Sequence, residues 1–217
     1  MLDKETTPAP LERRALAYVR THAMPGDPQS VLDTLDAFGR HHDFLMNVGD
    51  QKGVILDKAM GAANAKRVVE LGCFCGYSAV RIARLLPDDG ELISIEPKAE
   101  YLNVARDVVE FAGLSDKVRF LAGTASEVLP TLEGSFDLVF IDHVKEAYLP
   151  DLELIEAKHL ITPGSIVVAD NVGYFRDTLQ VYLDYVRSCG RYESTFYEAK
   201  LEYSETEEDG VEVSRRL

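Results

Sequence analysis

The chain has 217 residues, with 23 Lys and Arg against 37 Asp and Glu, a formal net charge of −14. That acidity argues against nucleic-acid partners and anionic membrane surfaces, both of which recruit clustered Lys and Arg. Hydrophobic residues make up 46% and charged residues 28%, a globular balance at a length that buries a sizeable core, which argues against intrinsic disorder.

In chain order, Met1–Pro10 is polar and Pro-rich, unlike a signal peptide. The first 64 residues read as helical. Leu11, Ala15, Leu16 and Val19 form a helical stripe; Asp27-Pro28 then supplies a cap and an N1 proline ahead of Val31, Leu32, Leu35 and Phe38. Met46-Asn47-Val48-Gly49 reads as a turn, and a third helix is expected from Asp50, with Val54, Ile55 and Ala59 facing inward. From Lys66 the pattern alternates. Apolar, β-rich runs at Arg67–Leu71, Glu91–Ile95, Val118–Ala122, Leu138–Ile141 and Ser165–Ala169 are separated by helix-period stretches at Ser78–Leu86, Ala99–Ala112, Ser126–Leu132 and Pro150–Lys158. This alternation predicts an α/β fold, a doubly wound and mostly parallel sheet covered on both faces. A helix around Thr178–Val186 follows, then strands Glu193–Tyr203 and Val211–Arg215, expected to form an antiparallel hairpin across Asp209-Gly210. No apolar run approaches the roughly 18–20 residues of a membrane helix.

Gly72-Cys73-Phe74-Cys75-Gly76 closes the first strand and opens the next helix. Glycine suits a tight turn that lets a ligand approach the backbone. Glu96 lies 20 residues beyond Gly76, at the end of the second strand, where an acid can take both hydroxyls of a ribose. The spacing is not G-x-G-x-x-G, and Glu70 precedes the loop. A carboxylate there repels phosphate and suits an ammonium or sulfonium, which points to S-adenosylmethionine rather than a nicotinamide dinucleotide. Cys73 and Cys75 have no further soft ligands spaced around them, so they read as small buried residues, and His41-His42 as a polar helix face. Three cysteines, two of them too close to bridge across a fold, fit a reduced cytoplasmic setting.

The fourth strand runs into Asp142-His143-Val144-Lys145 and the fifth into Asp170-Asn171. In a doubly wound sheet these carboxyl ends line the ligand crevice. A lone strand-end Asp is more often a cap or turn residue than a ligand. Two neighbouring strands ending in Asp, the second in Asp-Asn, make a sharper signal: three hard oxygen donors suited to Mg²⁺. Mg²⁺ lowers the pKa of a bound hydroxyl and disfavours the charged form of nearby Lys145, which can then accept a proton.

These residues, with Gln29-Ser30-Val31-Leu32, Met46–Asp50, Tyr77–Arg81, Tyr148-Leu149-Pro150-Asp151 and Leu201-Glu202-Tyr203, resemble the catechol O-methyltransferases over nearly the whole chain. The resemblance implies a single Rossmann-like class I methyltransferase domain over 1–217, with a helical cap over 1–64 and the α/β core over 65–217. By that resemblance Asp142, Asp170 and Asn171 ligate Mg²⁺, Lys145 deprotonates the attacking hydroxyl, and Glu202 holds its neighbour. S-adenosylmethionine contacts fall to Met46, Val48, Glu70, Gly72, Gly76, Tyr77, Ser78, Glu96, Ser126, Asp142 and His143. Substrate contacts fall to Phe44, Met46, Val144, Lys145, Asn171 and Glu202. The chain has 10 Tyr, 9 Phe and no Trp; by the same resemblance, Phe44 and Val144 stand where the family has gate tryptophans. Ala125-Ser126 replaces Ser-Gln near the adenine, and Gly173-Tyr174-Phe175-Arg176 replaces a Pro-containing loop.

The expected partner is a small-molecule catechol, with no nucleic acid and no membrane, bound by a monomer or weak dimer. Rival readings are methylation of bulkier catechols such as caffeoyl or flavonoid compounds, and a non-catalytic S-adenosylmethionine-binding regulator. The second has no use for Asp142, Lys145, Asp170, Asn171 and Glu202 together.

Overall fold

The computed structural model describes residues 9–217; the first eight positions of the expected helical region lie outside the described residues. Three helices come first: α1 (Leu11–His22), α2 (Pro28–His41) and α3 (Gly49–Ala63). The Asp27 carboxylate accepts from the backbone N–H groups of Gln29 and Ser30, and Pro28 occupies the first turn, so α2 starts as its sequence dictates. The third helix departs from expectation. Val54 is 45% exposed, and the buried face carries Lys52, Gly53, Leu56, Ala59 and Met60. Close packing sets that face, because a Cβ at Gly53 would fall 2.4 Å from the Arg81 guanidinium.

Seven strands follow: β1 (Arg67–Leu71), β2 (Glu91–Glu96), β3 (Val118–Ala122), β4 (Leu138–Ile141), β5 (Ile166–Ala169), β6 (Tyr192–Lys200) and β7 (Glu208–Arg216). They form one sheet in the order β3-β2-β1-β4-β5-β7-β6. The first five run parallel, and β7 is antiparallel to both β5 and β6. Between and after them lie α4 (Tyr77–Ala83), α5 (Ala99–Phe111), α6 (Ala125–Val128), α7 (Tyr148–Ala157) and α8 (Arg176–Ser188). Alternate strand residues serve opposite faces. Val68, Leu138, Phe140, Ile166 and Val168 pack with α1–α5, whereas Val69, Leu71, Val139, Ile141 and Val167 pack with α6–α8. With both faces covered, the central strands can be apolar at every position, which is why they read as continuous runs. The order reverses between β1 and β4, and a ligand crevice opens beyond the carboxyl ends at such a switch point.

The C-terminal strands pair antiparallel, but not across Asp209-Gly210. Those residues lie inside β7, opposite Ala199 and Glu198, and residues 201–207 make the connection. Gly210 relieves crowding instead of turning the chain, since a Cβ there would sit 2.4 Å from the Phe196 ring.

Candidate active site

The loop after β1 is built from left-handed backbone at alternate positions: Gly72 (φ 91°), Phe74 (φ 42°) and Gly76 (φ 84°). At Gly72 a Cβ would lie 2.5 Å from the Asp142 carbonyl oxygen, and at Gly76 2.9 Å from Ala105 Cα. Both glycines therefore admit neighbouring backbone, which brings the loop against the end of β4 and against α5. Phe74 takes the same conformation without being glycine, a strained state held by its surroundings. Its ring meets Tyr101 edge-on at 4.9 Å.

Glu96 ties down this loop. Its Oε2 accepts from the N–H groups of Cys73 (3.2 Å) and Phe74 (3.3 Å), and its Oε1 from that of Lys98 (3.0 Å). Glu70 is fully buried; Ser94 donates to its Oε2, while its Oε1 has no partner. Burial pushes its carboxyl up to about 7, because removing a carboxylate from water disfavours the charge. Cys73 and Cys75 are buried and free, as read from the sequence. Beside the loop lies a mostly apolar cleft of about 480 Å³, lined by Ile95, Pro97, Ala125, Ser126, His143 and Val144 among others. His143 Nε2 meets Asp151 Oδ2 at 2.7 Å, its Nδ1 is buried without a partner, and its ring stacks on Tyr148 at 5.4 Å.

Not every expected contact residue turns toward this cleft. The Tyr77 hydroxyl donates to Asp36 (3.1 Å) and accepts from Arg81 (3.2 Å), so its phenol belongs to the helical layer. Ser78 is buried at the start of α4, and Val48 is buried just before α3. Phe44, Met46 and Val144 are exposed, at 47%, 59% and 65%.

At the ends of β4 and β5, Asp142, Asp170 and Asn171 converge around two lysines. Lys145, in a 3-10 turn (Lys145–Ala147), donates to Asp142 Oδ1 (3.0 Å), Asn171 Oδ1 (2.8 Å) and the Tyr148 hydroxyl (2.8 Å). Asn171 has φ 58° and donates its N–H to Asp170 Oδ1 at 2.8 Å. Lys52, inaccessible to solvent, reaches Asp170 Oδ1 (2.9 Å), Glu202 Oε2 (2.8 Å) and Asp209 Oδ2 (2.7 Å). Burial alone would lower the Lys52 pKa; its three carboxylates more than reverse this and hold it well above the ordinary range. Asp209 also accepts from Asn171 Nδ2 (3.0 Å) and from the N–H groups of Gly173 (3.2 Å) and Tyr174 (2.9 Å).

Lys52, Asp209, Tyr148 and Phe74 are the site residues that sequence reasoning passed over. Only Tyr148 carried a signal, its place in the segment following Lys145.

Four carboxylates stand against two ammoniums here, and Asp170 Oδ2 is buried with no partner. Burial raises the Asp170 carboxyl above the ordinary carboxylate range despite Lys52, with Asp142, Asp209 and Glu202 adding to the rise. Among the described residues no three His, Cys, Asp or Glu side chains form a ready metal cage, so a cation site depends on the Asn171 amide oxygen beside the two aspartates. An excess of buried negative charge, an orphaned carboxylate oxygen and all-oxygen donors fit a hard divalent ion.

An O-methyltransferase family model matches residues 24–186. Catechol O-methyltransferase B of Danio rerio is 44% identical over 207 residues, 93% of this chain and 77% of that protein. The chain belongs to the catechol O-methyltransferase family. It is accordingly a methyltransferase. The catechol O-methyltransferase of Mus musculus is 41% identical over 206 residues, again 93% of this chain and 77% of its relative. The fold recurs in the crystal structure of the O-methyltransferase TomG from Streptomyces achromogenes, in complex with SAM, with a TM-score of 0.73, 22% identity, and coverage of 98% of this chain and 92% of that one. No helix among the described residues is long and apolar enough to cross a membrane.

Proposed function

We propose that the protein transfers the methyl group of S-adenosylmethionine to one hydroxyl of a catechol, with Mg²⁺ held by Asp142, Asp170 and Asn171. The observation that carries this reading is the meeting of Lys145 Nζ with Asp142 and Asn171, one half-buried cation among the oxygens suited to another. Mg²⁺ would supply positive charge that draws the two neighbouring hydroxyls together and favours ionisation of one. The unpaired Glu70 Oε1 takes the ammonium of the methionine moiety, and Glu96 the ribose. The cleft lined by Ile95, Pro97, Ser126 and His143 would hold the adenine, and Met46 and Val48 would flank the methyl donor.

Lys145, as the amine, takes the hydroxyl proton, and Glu202 orients the second hydroxyl. S-adenosylmethionine, when bound, would supply the methyl group: the catechol oxygen would gain the methyl carbon as the carbon–sulfur bond breaks, its electron pair staying on the sulfur of S-adenosylhomocysteine. The chain's main contribution is positioning in a site shielded from water. We further propose a cytosolic setting, supported by three free cysteines, and a monomer or weak dimer.

Labelled S-adenosylmethionine incubated with a panel of catechols, with and without Mg²⁺, tests the proposal. Metal-dependent label transfer is expected, and full turnover in excess chelator sinks the metal assignment. A second reading, bulkier catechols such as caffeoyl or flavonoid compounds, is favoured by Val144, which at 65% exposure leaves the cleft mouth open. The same panel separates the two.

A further inference from the structure

The Lys145 ammonium has three N–H groups and all three are used. Two acceptors, Asp142 Oδ1 and Asn171 Oδ1, come from residues assigned above to the divalent ion; the third, the Tyr148 hydroxyl, does not. Tyr148 is built to stay in place. It is completely buried, stacked face-on against His143 (5.4 Å, 7°) and edge-on against Tyr182 (5.7 Å, 85°). Its own proton is committed to the Asp170 carbonyl oxygen at 3.1 Å, which leaves a lone pair facing Lys145.

We propose that Lys145 and the divalent ion compete for the same two oxygens. Tyr148 is the positioning residue that keeps Lys145 at the site once the ion has taken them. Two cations cannot both be held closely by one pair of oxygens, because their mutual repulsion in a poorly hydrated site is strong. The ion therefore lifts the ammonium off Asp142 and Asn171. The Tyr148 hydroxyl is then the acceptor that fixes the nitrogen beside the substrate, where a loose lysine would swing into solvent. The inference rests on the metal assignment made above.

Calorimetric titration of Mg²⁺ into the wild type, Lys145→Met, Tyr148→Phe and the double variant tests it without turnover. Lys145→Met removes the competitor and tightens binding by about tenfold, the scale of one hydrogen bond to a charged group. Tyr148→Phe keeps the ring, removes the anchor of the displaced ammonium and weakens binding by a similar factor. In the Lys145→Met background the same change does nothing. In turnover assays Tyr148→Phe lowers kcat and leaves the KM for S-adenosylmethionine unchanged.

If Lys145→Met fails to tighten Mg²⁺ binding, the competition is wrong. If Tyr148→Phe acts equally in both backgrounds, the hydroxyl serves only packing. If the wild type binds no divalent ion, the metal assignment falls and takes this inference with it, which distinguishes the two failures.

Discussion

Lys52 survives complete burial because three carboxylates surround its ammonium, and each of those acids tolerates burial because of Lys52. Removing one member of such a group leaves uncompensated charge in the interior, far costlier than an exposed pair. Lys52→Met is expected to destabilise the fold by about 3–5 kcal/mol, read from urea melts; an unchanged midpoint would show that the acids relax by protonation alone. Lys145→Ala and Asp142→Ala are each expected to cut turnover at least about a hundredfold, the scale of losing a general base or a fixed charge. Near-normal rates in Lys145→Ala would remove the base from the mechanism. Glu70 gives a pH signature. Its folded carboxyl is raised to about 7, so the folded state holds this proton more tightly than the unfolded chain, and its contribution to stability falls as pH climbs from the ordinary carboxyl range to about 7. A cationic ligand competes with that proton. Affinity for S-adenosylmethionine should therefore rise with pH up to about 7 and level off above it, and Glu70→Gln should flatten the titration.

One polar network binds the helical layer to the connection between β6 and β7. The Tyr203 hydroxyl lies within hydrogen-bond distance of Asp36 Oδ1 of α2 (3.0 Å) and of Asn47 Oδ1 just before α3 (2.9 Å), with its single proton shared between the two acceptors, and its ring occupies the space left by Gly39. A Cβ at Gly39 would fall 2.3 Å from that ring. Gly39→Ala should therefore cost about 1–3 kcal/mol by overpacking. Because the neighbouring residue is Glu202, it should also raise the KM for catechol more than that for S-adenosylmethionine. Equal changes in both constants would indicate a general loosening. Asp27→Ala removes the α2 cap and should cost about 1 kcal/mol without altering either KM.

The α/β architecture was legible in the chain because its signals are local: apolar runs of strand length, helical stripes and a cap at Asp27-Pro28. The ends of β4 and β5 were legible for the same reason, since acids placed at strand ends converge in any doubly wound sheet. Lys52 was not. Periodicity weighs apolar residues, so it turned Val54 inward, whereas the true inward face carries a lysine whose partners Glu202 and Asp209 lie 150 and 157 residues away. Asp209-Gly210 misled because a dipeptide favoured in tight turns also fits a crowded strand pair, and the crowding by the Phe196 ring and the Tyr197 carbonyl arises only in the folded sheet.

That long reach has a consequence for the order in which the molecule can be made. Asp142, Lys145, Asp170 and Asn171 leave the ribosome well before Glu202 and Asp209, so Lys52 has only Asp170 of its three acidic partners until residues 202–209 are synthesised. The parallel strands can assemble early around local and helix-bridged contacts, but the charged cluster around Lys52 closes last, when β7 inserts between β5 and β6. A nascent chain stalled before residue 208 would hold the five parallel strands and the residues at the ends of β4 and β5, but not Asp209, whose carboxylate anchors Lys52 and the Asn171 amide.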